Sequence, residues 1–473
     1  MKNLLYNILC VLIAGIMCVS CIEDGYTSSP SDQPVFSTDM VDLGVVFTDQ
    51  PTTTTRFTVH NPHGKQLSIS DIRLSGAAAD CFRLNVDGMS GSTFSGVDIR
   101  GNDSIFVLVE ATFPEGPQPQ TLYSASIDFT TNGVVKSLPI QANGQNVHRL
   151  RGVTLDKDTR FDATLPYQVF DSLVVAPDVT LTLAEGSTLC FHDGAMLIVR
   201  GTLVAEGTNE APVTLAGDRT GNVVTDISFD IMSRQWTGVV FTATSTGNIL
   251  TATDIRNTTQ GVIIAGDGSG DTQLTLTNCR FRNSGGMVLE AYHSAIDAAG
   301  CEFAEAADGL VYLQGGRHSF VNCTFANYYL FSAIAGPAIQ TAHISPDEKT
   351  GLDDGSGLPY TVAAFDNCII YGLGGDLSHG DYAGTDITFR RCLLKSKGSD
   401  DDNFIECIWG EDPLYYTVRE DYLFDYRLRP DSPAIGVGDP SRIPARATVD
   451  RYGEARTATP ALGAYAFTLP TED

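Results

Sequence analysis

A cysteine returns about every 22 residues, and few folds accept such a rhythm. Cys279, Cys301 and Cys323 stand 301 − 279 = 22 and 323 − 301 = 22 positions apart, and Cys392 follows Cys368 by 24. Phe281, Phe303, Phe325 and Ile370 each lie two residues after one of these cysteines. Cys323 and Cys368 are 45 apart, about two periods, with the polar run "HISPDEKTGLDDGSGLP" between them. One period earlier, Asp254 in "TATDIRN" is read as taking the cysteine place, 25 residues before Cys279. The same region holds short alternating runs, "VTLTL", "STLCF", "AMLIV", "GTLVA" and "APVTL", and almost no helical periodicity. A unit of this length built of strands and Gly/Asn turns cannot bury its apolar side alone, so stacked copies, a β-solenoid, are predicted. Equivalent residues then stack about 4.8 Å apart, as in a parallel sheet. Each cysteine shares the inward face with the residue two after it. The polar residue before it, Asn278, Asn322 or Asn367, points outward or turns the corner.

Cysteine chemistry has other readings. Eight cysteines follow Cys21. Same-face neighbours about 4.8 Å apart are slightly wide for a relaxed disulfide. Among these eight, no Cys-x2-Cys pair or Cys/His cluster of zinc spacing occurs. Buried core thiols are therefore the leading reading for Cys279, Cys301, Cys323, Cys368 and Cys392, with an inter-coil disulfide, a metal or a nucleophile as alternatives.

Residues 1–20 read as a targeting segment: Lys2, then an apolar run from Leu4 to Val19, short for a membrane span. The run ends "CVSC", which resembles the lipobox of bacterial lipoproteins. Small Ser20 precedes Cys21, whereas bulky Met17 precedes Cys18, so the resemblance implies lipidation at Cys21. Secretion with cleavage near Ser20 is the alternative. Glu23 and Asp24 resemble the surface-export signal of Bacteroidetes lipoproteins. Residues 21–33, polar and rich in Pro and Ser, read as a tether. The implied location is the cell envelope, as a surface-exposed outer-membrane lipoprotein.

Residues 34–146 read as an antiparallel sandwich of short alternating strands, such as "RFTVHNP" and "SIFVLVEATF". With "DLGVVF", "LSISDIRLSGAAADCF" and "SIDFTTNG", the segment is similar to Hydin-type (ASH) immunoglobulin-like domains, usually spacers or binding modules. Residues 149–408 carry the solenoid pattern. "VTLTLAEGSTLCFHDGAMLIVRGTLVAEGTNEAPVTLAGD", "WTGVVF" and the Asn-Cys-x-Phe coils resemble the right-handed parallel β-helix proteins common in Bacteroidetes. "YRLRPDSPAIGVGD" and "DRYGEARTATPALGAYAF" resemble that family's ending, so residues 409–473 read as a C-terminal cap over an otherwise open coil. The expected fold class is all-β: an immunoglobulin-like sandwich, then a parallel β-helix with its cap.

Such a fold hosts lyases, hydrolases, adhesins and spacers alike, so function has to come from side chains. A net charge of −27 repels nucleic acid and anionic surfaces. Candidate bases for polysaccharide cleavage are Lys395, Lys397, Arg390, Arg391, His379, Arg317 and His318. Asp353, Asp354, Asp381, Asp400, Asp401 and Asp402 are candidate acids, but no motif set like the paired aspartates plus Gly-His-Gly of polygalacturonases is present. No cofactor is implied apart from a candidate Ca2+ site at the acidic run Asp400, Asp401 and Asp402. Trp409, Tyr415, Tyr416, Tyr328, Tyr329 and Tyr360 are candidate platforms for sugar rings. The expectation is a monomeric, non-catalytic module that binds or displays against surface glycans or envelope proteins. A polysaccharide lyase or hydrolase and a plain spacer are the alternatives.

Overall fold

A computed structural model describes residues 25–224, 227–344 and 359–468. Cys21, Asp353 and Asp354 lie outside the described residues. The chain divides into two compact units, Met1–Asn146 and Val147–Asp473.

The first unit has two sheets on one core. One runs in the order Val35–Phe36, Thr55–His60, Ser104–Ala111, Phe82–Val86 and Met89–Gly91, antiparallel throughout. The other runs Val41–Phe47, Val134–Gln145, Gln120–Thr131, Leu67–Ser75 and Thr93–Phe94. Its one parallel pairing joins Val41–Phe47 to Val134–Gln145. Alternation explains the core: Ile105, Val107, Val109 and Ala111 point inward from the first sheet and meet Ile69, Ile127 and Phe129 of the second. The tight hairpin at Asn132-Gly133 has positive φ at both residues, 50° and 78°, as a type I′ turn requires. The expected tether does not run free through residues 25–33. Thr27 N donates to Gln66 O at 2.9 Å, and Asn132 Nδ2 donates to Ser29 O and Asp32 O.

The second unit is a coiled parallel sheet of 25 strands. Its pairings fall into three ladders, one for each side of the coil. Ladder one stacks Met196–Val199, Trp236–Phe241, Thr258–Ala265, residues 289–292, residues 311–314 and Ile339–Ala342. Ladder two stacks Thr180–Leu183, Thr202–Glu206, Asn248–Thr251, Leu274–Thr277, residues 296–299 and 318–321, Thr361–Asp366 and Ile387–Arg390. Ladder three stacks Thr188–Phe191, Val213–Gly217, Thr253–Arg256, Arg280–Ser284, Glu302–Ala306, Thr324–Asn327 and Ile369–Gly372.

The cysteines sit just past the corner between ladders two and three. Cys279, Cys301, Cys323, Cys368 and Cys392 are fully buried and all are free thiols. Each lies near the carbonyl two residues back; Cys279 Sγ–H donates to Thr277 O at 3.4 Å and Cys368 Sγ–H to Asp366 O at 3.3 Å. The corner residues before them are left-handed: Asn278 has φ 53°, Asn322 49° and Asn367 56°. Asparagine is among the few side chains that take this conformation readily. Phe281, Phe303 and Phe325 stack at 5.1 and 5.0 Å, nearly parallel. A second stack, Phe320, Phe365, Phe389 and Phe404, climbs ladder two. One alignment differs from expectation. Asp254 pairs with Arg280, so Thr253, not Asp254, holds the cysteine place. The coil there is 280 − 254 = 26 residues long, and its left-handed corner is Ala252, φ 41°.

The C-terminal segment is also placed differently. Trp409 pairs with Leu394, whose side chain points inward, and its ring packs on Phe404 at 4.9 Å, so the indole itself covers the last coil. The chain beyond it is a strap laid back along ladder three. Asn367 Nδ2 donates to Asp439 O at 2.9 Å, Asn322 Nδ2 to Ala461 O at 3.1 Å and Asn278 Nδ2 to Val449 O at 3.0 Å. Arg451 reaches Asp254 Oδ1 and Asn209 O, each at 3.2 Å. Tyr426 O–H donates to Glu305 and Tyr465 O–H to Glu302, while Arg282 pairs with Glu302. The corner asparagines thus serve twice, as turn residues and as donors to the strap.

Candidate functional site

Most residues singled out from the sequence are occupied in the fold. Tyr415 and Tyr329 are 4% and 3% exposed and offer no ring face to a ligand. Tyr328 packs on Tyr415 and Tyr426 under the strap. Trp409 faces inward, with Nε1–H donating to Asp400 Oδ1 at 3.1 Å. Tyr360 stacks on His343 at 4.5 Å. Tyr416 is exposed, but the ring beside it, Tyr415, is buried, so these aromatics form no strip.

Asp400, Asp401 and Asp402 do not converge. Asp400 Oδ1 accepts from Cys407 N and Asp401 Oδ1 from Asn403 N and Phe404 N, so two of the three carboxylates cap turns. Asp402 lines a separate surface cleft with Arg317. Among the described residues, no group of three or more His, Cys, Asp or Glu side chains could hold a metal ion.

Five of the seven candidate bases are likewise engaged. Lys395 Nζ donates to Leu373 O and Gly374 O, Arg391 Nε to Glu406, and the ring of His379 pairs with Thr341 O. Arg390 lies 3.8 Å from Asp366. His318 is buried, with its pKa pushed down to about 4 by desolvation, so it is a neutral core ring at ordinary pH.

A different cluster lies on the outer side of ladder one. In a strand, alternate residues point outward, so Glu290 and Tyr292 project from residues 289–292, and Tyr312 and Gln314 from the next coil. Glu290 stacks beside Tyr312, which stacks beside Gln340. The rings of Tyr292 and Tyr312 lie 5.5 Å apart, tilted by 49°. Tyr292 O–H donates to Glu290 Oε2 at 2.6 Å and Tyr312 O–H to Gln314 Oε1 at 2.8 Å, which fixes both rings. Burial, then the Glu290 carboxylate, pushes both phenols above their ordinary range, so they remain O–H donors. Glu290, Tyr292, Tyr312 and Gln340, with Asp308 and Gln260, line an open cleft of roughly 420 Å³.

Glycines shape one end of the cleft. Gly309 has φ 123°, and a Cβ there would come within 2.6 Å of Gln340 Nε2; a Cβ on Gly336 would come within 2.3 Å. Gln340 Nε2 is thereby free to swing in and donate to Asp308 O at 2.8 Å. Two half-buried aromatic rings, amides and carboxylates around an open groove suit a polar ligand with flat C–H faces. The signal was present in the sequence. "LEAY" and "VYLQ" are one period apart, since Tyr312 follows Glu290 by 22 residues.

No family model matches the chain. No curated protein matches it either. Among solved structures it is similar to a family 123 glycoside hydrolase from Clostridium perfringens, described for glycolipid glycan hydrolysis, at 8% identity and a TM-score of 0.18. That similarity spans 24% of this chain and 26% of the hydrolase chain.

Proposed function

We propose that this protein is a lipid-anchored, surface-exposed envelope protein whose solenoid binds a glycan without cleaving it. In this reading Cys21 carries the lipid, the two-sheet unit is an immunoglobulin-like spacer, and the solenoid is a right-handed parallel β-helix. The observation that carries the binding role is the Tyr292–Tyr312 pair, flanked by Glu290 and Gln340 in an open cleft. Fixed tyrosines lose little conformational entropy on binding, and each presents an apolar face beside polar groups that can pair with hydroxyls.

A glycan panel, read for both retention and new reducing or unsaturated ends, tests this. Retention without product is expected. Tyr312→Ala should weaken binding by about fivefold to a hundredfold, since losing one stacked ring costs on the order of 1–3 kcal/mol. Release of product would show that the binding-only role is wrong. A hydrolase is the second reading, because Glu290 and Asp308 both line the cleft and paired carboxylates are the usual equipment of that chemistry.

A further inference from the structure

The cleft on ladder one has an electrostatic character of its own. Its charged lining residues are Glu290 and Asp308, and no lysine, arginine or histidine lines it. Glu290 is held toward the cleft by Tyr292, and Asp308 is exposed at its rim. The phenols add no charge but remain donors, because burial keeps both protonated. Lining residues come from successive coils, from Gln260 through Glu290 and Tyr312 to Gln340, so the groove runs along the solenoid axis. Four coils at about 4.8 Å span roughly 14 Å, the length of a short oligosaccharide rather than one ring.

A chain bearing carboxylates or sulfates would bring its anions beside two carboxylates, against one guanidinium next to the lining, that of Arg234, which donates to Gly285 O at 3.1 Å. Each such encounter at about 5 Å in a half-exposed site disfavours binding on the order of tenfold. A neutral sugar meets no such penalty, and its hydroxyls can donate to the same carboxylates.

We propose that the cleft takes a neutral oligosaccharide laid along the solenoid axis, and that Glu290 and Asp308 are specificity-determining residues that turn away uronic-acid and sulfated chains. The inference rests on the glycan-binding reading. It also disfavours the lyase of the two enzymatic alternatives, because a lyase has to neutralise a uronate carboxylate and no basic side chain is among the lining residues.

The test uses the full chain solubilised in detergent. It is titrated at low salt against a panel of neutral hexose oligosaccharides and length-matched oligogalacturonate and sulfated oligosaccharides. The parent should bind at least one neutral member and prefer it over the anionic ones by tenfold or more. The double variant Glu290→Gln/Asp308→Asn should narrow that preference, read as the ratio of neutral to anionic affinity, at least tenfold. Tyr312→Ala should lose neutral and anionic binding together. Parent binding to the anionic chains as tight as to the neutral ones would overturn the specificity claim and leave glycan binding intact. An unchanged preference in the double variant would do the same. No binding to any member would overturn both readings.

Discussion

Glu305 should make strap docking depend on pH. Its carboxyl is buried beneath the strap, beside Tyr426, Arg282 and Glu302. It occupies the left-handed position held by Asn257 and Asn283 on earlier coils, with φ 47° against 68° and 58°. Burial raises its pKa from 4.5 to about 8; Arg282 and the Tyr426 hydroxyl pull the other way, and nearby Glu302 adds to the rise. The folded chain therefore holds this proton after the unfolded chain has released it. The stabilising contribution is complete below about pH 4.5 and is lost as pH rises through about 8. Moving a carboxyl that far corresponds to roughly 5 kcal/mol across the window, an upper limit for one site. Glu305→Gln removes the titration and keeps the shape. Hydrogen exchange of strap amides such as Gly463 N, which donates to Asn367 O, reports docking directly. The parent's strap should open several kcal/mol more easily at pH 8.5 than at pH 5, whereas the variant should change far less. Equal pH slopes in parent and variant would refute the reasoning.

Two further expectations concern the solenoid core. Phe303→Ala removes a fully buried ring stacked on both sides, so it should cost about 3–5 kcal/mol by denaturant unfolding. Phe281→Ala should cost less, because its ring is stacked on one side, against Phe303, with Ile255 at the matching place in the coil before it. Iodoacetamide with mass spectrometry under native conditions should label the half-buried Cys81 and Cys407 first. Burial pushes the Cys407 thiol up to about 12, so even this site should react slowly. Rapid native labelling of Cys301 would contradict a sealed core.

The solenoid could be read from the sequence because a dry interior tolerates few side chains, and Cys279, Cys301 and Cys323 fill the same slot coil after coil. The register slipped at Asp254, where the coil is longer and the slot holds Thr253. A charged residue near the repeat position drew the alignment by one, and the pairing with Arg280 explains why Asp254 sits on the outer side. Glu290, Tyr292 and Tyr312 were missed because outward residues are free to vary and gain meaning only once the ladders are assigned. The strap was misread as an end cap because it has no period. Tyr426 and Glu305 are 121 positions apart, and no local pattern links them.

The strap also changes how the stack can come apart. A plain solenoid is held by contacts between neighbouring coils, so it can fray one turn at a time from an open end. Here Arg451 joins positions 197 and 242 residues away, and Asn278, Asn322 and Asn367 tie three coils to one continuous segment. A turn in the middle cannot loosen without also releasing the segment that holds its neighbours. The coils between Asn209 and Asn367 are therefore joined as one cooperative block, like boards fixed to a common batten, and partial unwinding there carries the cost of the whole seam.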